Sequence, residues 1–328
     1  MSLPHDHLTK KKESLLEELN RLPQPTAIEN GLTFRPEDLG NSTSMRLRRL
    51  FRYRGAYIAH IGKRMSKRLL SKKEIRAKTF WGRELVLPNR DANVHLIRTS
   101  GTLGANENGL TRFLIRTLRT DDIFYDVGAN YGFYTALAQE LILTGEIHSF
   151  EPSSLVFAYL EKLASDRTVL NNVALSSKSG DMRFFDSYAS HSSGKSTTSA
   201  EAAHNHLWDY TATTIQAVSL DDYCRTHPAP TLMKIDVEGA EADVLTGGRS
   251  TLEKAAPIVA VELWSGKNLY PFSQRTLDVF KELGYTPFFI EHSGGLRETT
   301  YAYLENWLKK ERSDTNMIFK RRKTGKEV

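Results

Sequence analysis

The sequence has a single cysteine, Cys224, among 328 residues, so no disulfide framework holds it and a reducing compartment is the simpler setting. It has no uninterrupted apolar run near the roughly 18–20 residues of a membrane span. The amino terminus, with His5, Asp6, His7 and Lys10 to Lys12, has no apolar signal core, and the expectation is a soluble, cytoplasmic protein. Also missing is the Gly-x-Gly-x-x-Gly turn of dinucleotide binders. Gly194-Lys195-Ser196 has the ending of a phosphate loop, but Ala189 stands where the first glycine belongs and no strand precedes it, which discards that reading.

Charge is abundant and unevenly placed. The net charge is +6, yet thirteen Lys or Arg against Glu74 lie between Met45 and Lys78, a local balance of +12 that leaves the rest of the chain at −6. Leu47, Leu50, Phe51, Ile58, Ile61, Met65 and Leu69 recur at three- and four-residue steps, the pattern of a basic amphipathic helix or helix pair. Three readings stay open for residues 45–78: a helix docked on the body, an anchor on an anionic membrane surface at the inner face of a membrane, or a nucleic-acid contact, the last opposed by sparse aromatic interleaving. Residues 1–44, punctuated by Pro23, Pro25 and Pro36, are expected to be flexible apart from a short helix at Glu13 to Arg21.

From Thr79 onward the composition is that of a globular body, residues 79–328, in which apolar strands alternate with helices. The pattern predicts strands at Ile123–Val127, Glu146–Phe150, Thr168–Ala174, Leu232–Val237, Ile258–Leu263, Tyr285–Ile290 and Asn316–Lys320, with no helix between the last two. The expected fold class is therefore α/β, a Rossmann-like doubly wound seven-stranded sheet, mostly parallel with an antiparallel last strand, plus a mainly helical basic extension. Residues 187–213, whose first part is almost all small and polar, read as a mobile, lid-like insertion.

Residues 123 to 132, Ile-Phe-Tyr-Asp-Val-Gly-Ala-Asn-Tyr-Gly, carry the strongest signal: an apolar strand, an acid, and a turn bounded by Gly128 and Gly132 that would let a ligand approach the backbone. Asp126 repels a pyrophosphate but would hold the ammonium group of S-adenosylmethionine (SAM), so SAM is favoured over a plain strand-to-helix turn. Glu151, in Ser149-Phe150-Glu151-Pro152, lies 23 residues after Gly128, where a carboxylate can accept from both ribose hydroxyls. Asn171, Asn172, Val173 and Ala174 would lie near adenine. In Lys234-Ile-Asp-Val-Glu-Gly-Ala-Glu241, alternation puts Lys234, Asp236 and Glu238 on one side of a strand end, an expensive set to bury without a function, while Glu241 suits either a helix cap or the site. Glu262 ends the fifth strand, and Trp264 is a candidate wall for an acceptor pocket.

The runs Asp-Val-Gly-Ala-Asn-x-Gly, Phe-Glu-Pro, Ser-Leu-Asp-Asp (219 to 222), Lys-Ile-Asp-Val-Glu-Gly-Ala-Glu and Val-Glu-Leu together resemble the FkbM-type SAM-dependent methyltransferases, over roughly Thr79 to Lys320. The resemblance implies O-methylation, often of a sugar hydroxyl in a glycan, glycolipid or polyketide-type product, with SAM as cofactor. Asp126, Gly128, Asn130, Gly132, Glu151, Asn172 and Ala174 are then the cofactor candidates. Asp236, Glu238 and Glu262 are the candidates for the base that deprotonates a hydroxyl, with His292 as an outsider. Asp236 and Glu262 could instead hold a divalent cation, although no spacing demands a metal. The nearest enzyme alternative is an NAD(P)-dependent oxidoreductase, opposed by Asp126 and by the glycine spacing; the other is a nucleic-acid- or membrane-binding protein using the basic segment.

Overall fold

A computed structural model describes residues 4–22, 74–89, 91–187, 196–205, 210–311 and 314–321. Nearly all of the basic segment 45–78 lies outside them, and only its last five residues are described, as a strand. In chain order the elements are α1 (Pro4–Arg21), the hairpin β1 (Glu74–Lys78) and β2 (Glu84–Pro88), α2 (Ala92–Ser100), α3 (Ala105–Thr117), β3 (Ile123–Val127), α4 (Phe133–Leu141), β4 (Glu146–Phe150), α5 (Ser154–Leu160), β5 (Thr168–Asn171), β6 (Ala174–Ser176) and β7 (Gly180–Asp186). They continue as α6 (Ala200–Asn205), β8 (Thr211–Ser219), α7 (Leu220–Tyr223), β9 (Leu232–Ile235), α8 (Glu241–Gly247), α9 (Arg249–Ala255), β10 (Ile258–Leu263), α10 (Tyr270–Glu282), β11 (Tyr285–Ile290), β12 (Leu296–Glu298), α11 (Tyr301–Lys310) and β13 (Thr315–Arg321).

The main sheet has eight strands in the order β12-β11-β13-β10-β9-β3-β4-β5. Strands β5, β4, β3, β9 and β10 run parallel, and β13, β11 and β12 pair antiparallel at the far side. This is the expected doubly wound sheet with three corrections. The short edge strand β12 makes eight strands, and β11 and β13 are separated by α11, whose Leu304 and Leu308 are buried and whose Thr300 cap accepts from the Tyr303 N–H. The predicted third strand is also divided. Ala174, its predicted end, instead begins β6, which leaves the main sheet to join β7 and β8, the strands on either side of the insertion, in a separate three-stranded sheet.

The chain reverses direction of travel between β3 and β9, so the crevice at the carboxyl ends of these two strands is the switch point where doubly wound sheets bind ligands. Side-chain alternation sorts the sheet into two cores. Phe124, Leu232, Ala260 and Ile318 face a core shared with α1, α3 and α4, whereas Tyr125, Met233, Val261 and Phe319 face the core under α8, α10 and α11.

The amino-terminal helix is longer and better anchored than its sequence suggests. Leu15 and Leu19 are buried against α3 and α4; Lys11 pairs with Glu140 at 2.7 Å, and Asn20 accepts from the Arg112 guanidinium at 3.0 Å. The flexibility expected of residues 1–44 therefore does not extend to this helix. Leu19→Ala is expected to cost about 2–4 kcal/mol of unfolding free energy. Chemical denaturation checks this, and an unchanged midpoint would mean that α1 does not contribute to the folded body.

Candidate active site

The same alternation that builds the core places the charges. Asp126 and Lys234 follow Phe124 and Leu232 by two residues on the α4 face, and Glu262 follows Ala260 there, so polar side chains extend the apolar rows to the carboxyl edge. Asp126 pairs with Lys234 across β3 and β9, and Glu262 with Asn316 across β10 and β13.

Lys234 is 6 % exposed and sits between two carboxylates, 3.7 Å from Asp126 Oδ1 and 3.3 Å from Asp236 Oδ2, while donating to the Gly128 carbonyl at 3.1 Å. Burial alone would lower its pKa, but Asp236 and Asp126 outweigh that and hold it above the ordinary range. Asp126 accepts from the Thr135 hydroxyl at 2.7 Å and is fully buried; burial pushes its carboxyl up against the opposing pull of Lys234 and Thr135.

A cavity of about 250 Å³ opens over this edge. Gly128, Asn130, Glu151, Ala174, Asp236, Glu238 and Glu262 line it, seven of the ten residues singled out from the sequence. Three are elsewhere. Asp126 lies beneath the floor, covered by Lys234, and presents no surface to the cavity, so a direct contact from it to a ligand's ammonium is not made in this geometry. Gly132 faces the protein: it adopts φ 81°, and a Cβ there would collide with Leu160 and Leu163. The Asn172 amide donates to the carbonyls of Glu151 and Pro152 at 2.8 and 3.2 Å, fixing the turn after β4 rather than lining the cavity. Gly128 does line it, but its need for glycine is also internal, since at φ 76° a Cβ would strike the Asp236 carbonyl.

Glu151 is the polar anchor of one half of the cavity. Its carboxylate accepts from the Asn130 and Ser153 N–H groups at 3.0 and 2.9 Å. Burial raises its pKa to about 7, the two N–H donors opposing. In the other half, Asp236, Glu238 and Glu262 bring carboxylate oxygens within 4.8 Å of one another. Glu238 holds a left-handed backbone (φ 55°), a conformation costing about 1–3 kcal/mol that the loop retains. Three carboxylates this close are a proton-accepting set, and hard-oxygen donors of the type that divalent cations take.

Other expected residues have structural roles. Glu241 accepts from the Val237 and Gly239 N–H groups, both at 3.1 Å, which makes it the clasp of this loop; burial raises it to about 7. Trp264 is buried with Phe272 and Ala202 behind Gly239 and does not wall the cavity. His292 is exposed in a turn away from it. Ser219 caps α7, and Asp221 accepts from the Ser250 and Thr251 N–H groups at the start of α9. Within the lid-like insertion, Ser196, Thr197 and Thr198 line the cavity and Ala202 is fully buried, so this described part is seated on the body; residues 188–195 and 206–209 lie outside the described set.

Glu107 and Tyr134 are cavity residues that the sequence did not reveal. Glu107 accepts from the Tyr134 hydroxyl at 2.6 Å and from Asn316 Nδ2 at 2.7 Å, and burial raises its pKa against those two donors. It precedes Gly109, where the helical spacing becomes readable, which is why no pattern marked it.

A family profile for the methyltransferase FkbM domain matches residues 126–287, the span from Asp126 through β11 that holds nearly all of these groups. Residues 126–287 are thus similar to the FkbM methyltransferase domain. The chain is 31 % identical over 166 residues to the hexuronic acid methyltransferase AglP of Haloferax volcanii, covering 49 % of this chain and 63 % of that protein. It is 28 % identical over 148 residues to the 2-O-methyltransferase NoeI of Sinorhizobium fredii, covering 42 % of this chain and 61 % of the relative. The matches thus span less than two thirds of either relative. The crystal structure of an FkbM methyltransferase from Methylobacillus flagellatus aligns over 62 % of this chain and 44 % of its own, at 15 % identity and a TM-score of 0.38.

Glu151 gives a pH dependence with a defined sign. Its pKa of about 7 means that it is protonated below that value, and the neutral carboxyl, with a proton of its own, is the weaker acceptor for two hydroxyls. If Glu151 accepts from the ribose of SAM, affinity for SAM is expected to rise between about pH 6 and pH 8, and Glu151→Gln should flatten that rise while weakening binding. Calorimetry on both forms checks this; a slope that survives Glu151→Gln would place the titration on another buried carboxyl, Glu107, Asp126 or Glu241.

Proposed function

We propose that the protein transfers a methyl group from SAM to a hydroxyl oxygen of a sugar. The observation that carries this reading is the meeting, across one cavity at the switch point, of a nucleoside-type anchor, Glu151, with the carboxylate set Asp236, Glu238 and Glu262. The FkbM match, the hexuronic acid named for one relative and the 2-O-methyl transfer named for the other support it, and they favour methyl transfer over the hydride transfer of an NAD(P)-dependent enzyme.

The residues present fit the cofactor. Glu151 would hold the ribose, Ala174 and Val173 offer apolar surface to a base, and Gly128 and Asn130 shape the turn beside it. Asp126 serves this half indirectly, by fixing Lys234 and, through Lys234, the Gly128 carbonyl. When bound, SAM supplies a methyl group on a cationic sulfur that is already a good leaving group.

Two requirements then fall to the chain. It must hold the acceptor oxygen in line, where good orientation is worth up to roughly 7–11 kcal/mol, and it must take the hydroxyl proton. Asp236 is suited to taking the proton, since 34 % of its side chain is open to the cavity and only Oδ2 is engaged by Lys234. Glu238 and Glu262 bracket it and position the acceptor. A positioned base of this kind contributes about 10²- to 10⁴-fold.

Asp236→Asn should therefore lower kcat for methylation of a glycoside panel by about 10²- to 10⁴-fold with little change in SAM affinity. Transfer of labelled methyl, with calorimetry on the same samples, checks both. Unchanged turnover would remove Asp236 as the base, and binding of NADH without binding of SAM would contradict the whole reading.

A further inference from the structure

Glu107 belongs to α3, upstream of the FkbM-matched span, yet it stands in the acceptor half of the cavity with Asp236, Glu238 and Glu262. It is held from two sides. Oε2 accepts from the Tyr134 hydroxyl at 2.6 Å and Oε1 from Asn316 Nδ2 at 2.7 Å, and Asn316 is the cross-strand neighbour of Glu262. Each carboxylate oxygen has two lone pairs, so both keep capacity for a further donor after these bonds are made. A fixed oxygen with spare lone pairs on a cavity wall is suited to receive a hydroxyl.

Charge decides what kind of molecule brings that hydroxyl. Four carboxylates face this half of the cavity, and Lys234 is the one cation among the described residues that line it. Lys234 is already engaged by Asp126, Asp236 and the Gly128 carbonyl. A carboxylate on the acceptor would be desolvated among like charges with no unengaged cation among the described lining residues, whereas neutral hydroxyls would find acceptors on opposite walls.

Resting on the methyl-transfer reading, we infer that Glu107 is a specificity-determining residue that accepts a hydrogen bond from a second hydroxyl of the acceptor, and that the cavity takes an uncharged sugar ring and rejects a uronic acid. The class follows from the charge of the described walls of this half: four carboxylates and one cation, already engaged.

Saturation-transfer NMR tests this with the full chain, S-adenosylhomocysteine, methyl glycosides of glucose, galactose and mannose, and the methyl glycosides of the matching uronic acids. The expected result is saturation of the hexosides and at least about tenfold weaker response from the uronates, the scale of one unpaired like charge. Glu107→Gln, which keeps the side-chain shape, should weaken the hexosides and narrow that preference. Equal or stronger response from the uronates overturns the inference, as does silence from all six sugars while S-adenosylhomocysteine is bound. A preference unchanged in a folded Glu107→Gln protein removes Glu107 from it. S-adenosylhomocysteine signals in the same tubes keep the two readings apart, because their absence contradicts the cofactor half. The wild-type comparison stands even where Glu107→Gln fails to fold.

Discussion

The site depends on a lysine buried between two aspartates. Lys234 is at once a side chain of the central strand β9, the lid over Asp126, the partner of Asp236 and the donor to the Gly128 carbonyl. None of these charges could be buried alone: removing one partner of a buried pair costs about 3–5 kcal/mol because the other is left without compensation. Together they hold the ends of β3 and β9 at one spacing. They set where the Gly128 turn lies, and they keep Asp236 at the cavity rather than in solvent. The crowding of Gly128 against the Asp236 carbonyl is the steric counterpart of the same constraint, since only glycine lets the two strand ends approach so closely.

Around this link the cavity divides by chemistry. On the β4 side, Glu151 is locked by two backbone N–H groups and raised by burial, a rigid acceptor that responds to pH near neutrality. On the β10 side, the carboxylates come from the loop after β9, from the end of β10 and, through Asn316 of β13, from α3. Glu262 and Glu107 sit on regular elements, while Glu151 and Asp236 follow directly on strand ends, which favours a fixed orientation of two reactants. Glu238 lies further into the loop after β9, and its left-handed backbone is kept by the Glu241 clasp on the N–H groups of Val237 and Gly239.

Much of this is legible in the sequence because a parallel strand buried on both faces has no reason to carry acids at its end. Asp236, Glu262 and Glu151 stand out on that ground, and alternation assigns the face correctly for Lys234. What alternation cannot give is depth. Asp126 shares the face of the cavity but lies one layer below it, and the difference is set by the length of the Lys234 side chain, not by any local pattern. Gly132 and Trp264 mislead for a related reason: a glycine in a turn and an aromatic at a strand end mark close packing as readily as a pocket, and here they pack against Leu160, Leu163 and Ala202. Glu107 carries no signal at all, because its role comes from α3 meeting β13 across more than two hundred residues. The helix α11 is readable in the spacing of Leu304 and Leu308, and it is the strongly paired β11 and β13 on either side that make an uninterrupted hairpin look sufficient.

The proposed mechanism centres on a single cavity in which Glu151 would hold the nucleoside cofactor and the Asp236 set would face its reacting end. A crystal structure of the full chain with S-adenosylhomocysteine tests it most directly. The predicted result is ribose hydroxyls within hydrogen-bonding distance of Glu151, the amino-acid end beside Gly128, and Asp126 still covered by Lys234 without touching the ligand. A nucleoside bound away from Glu151, or a sulfur turned away from Asp236, Glu238 and Glu262, would contradict it.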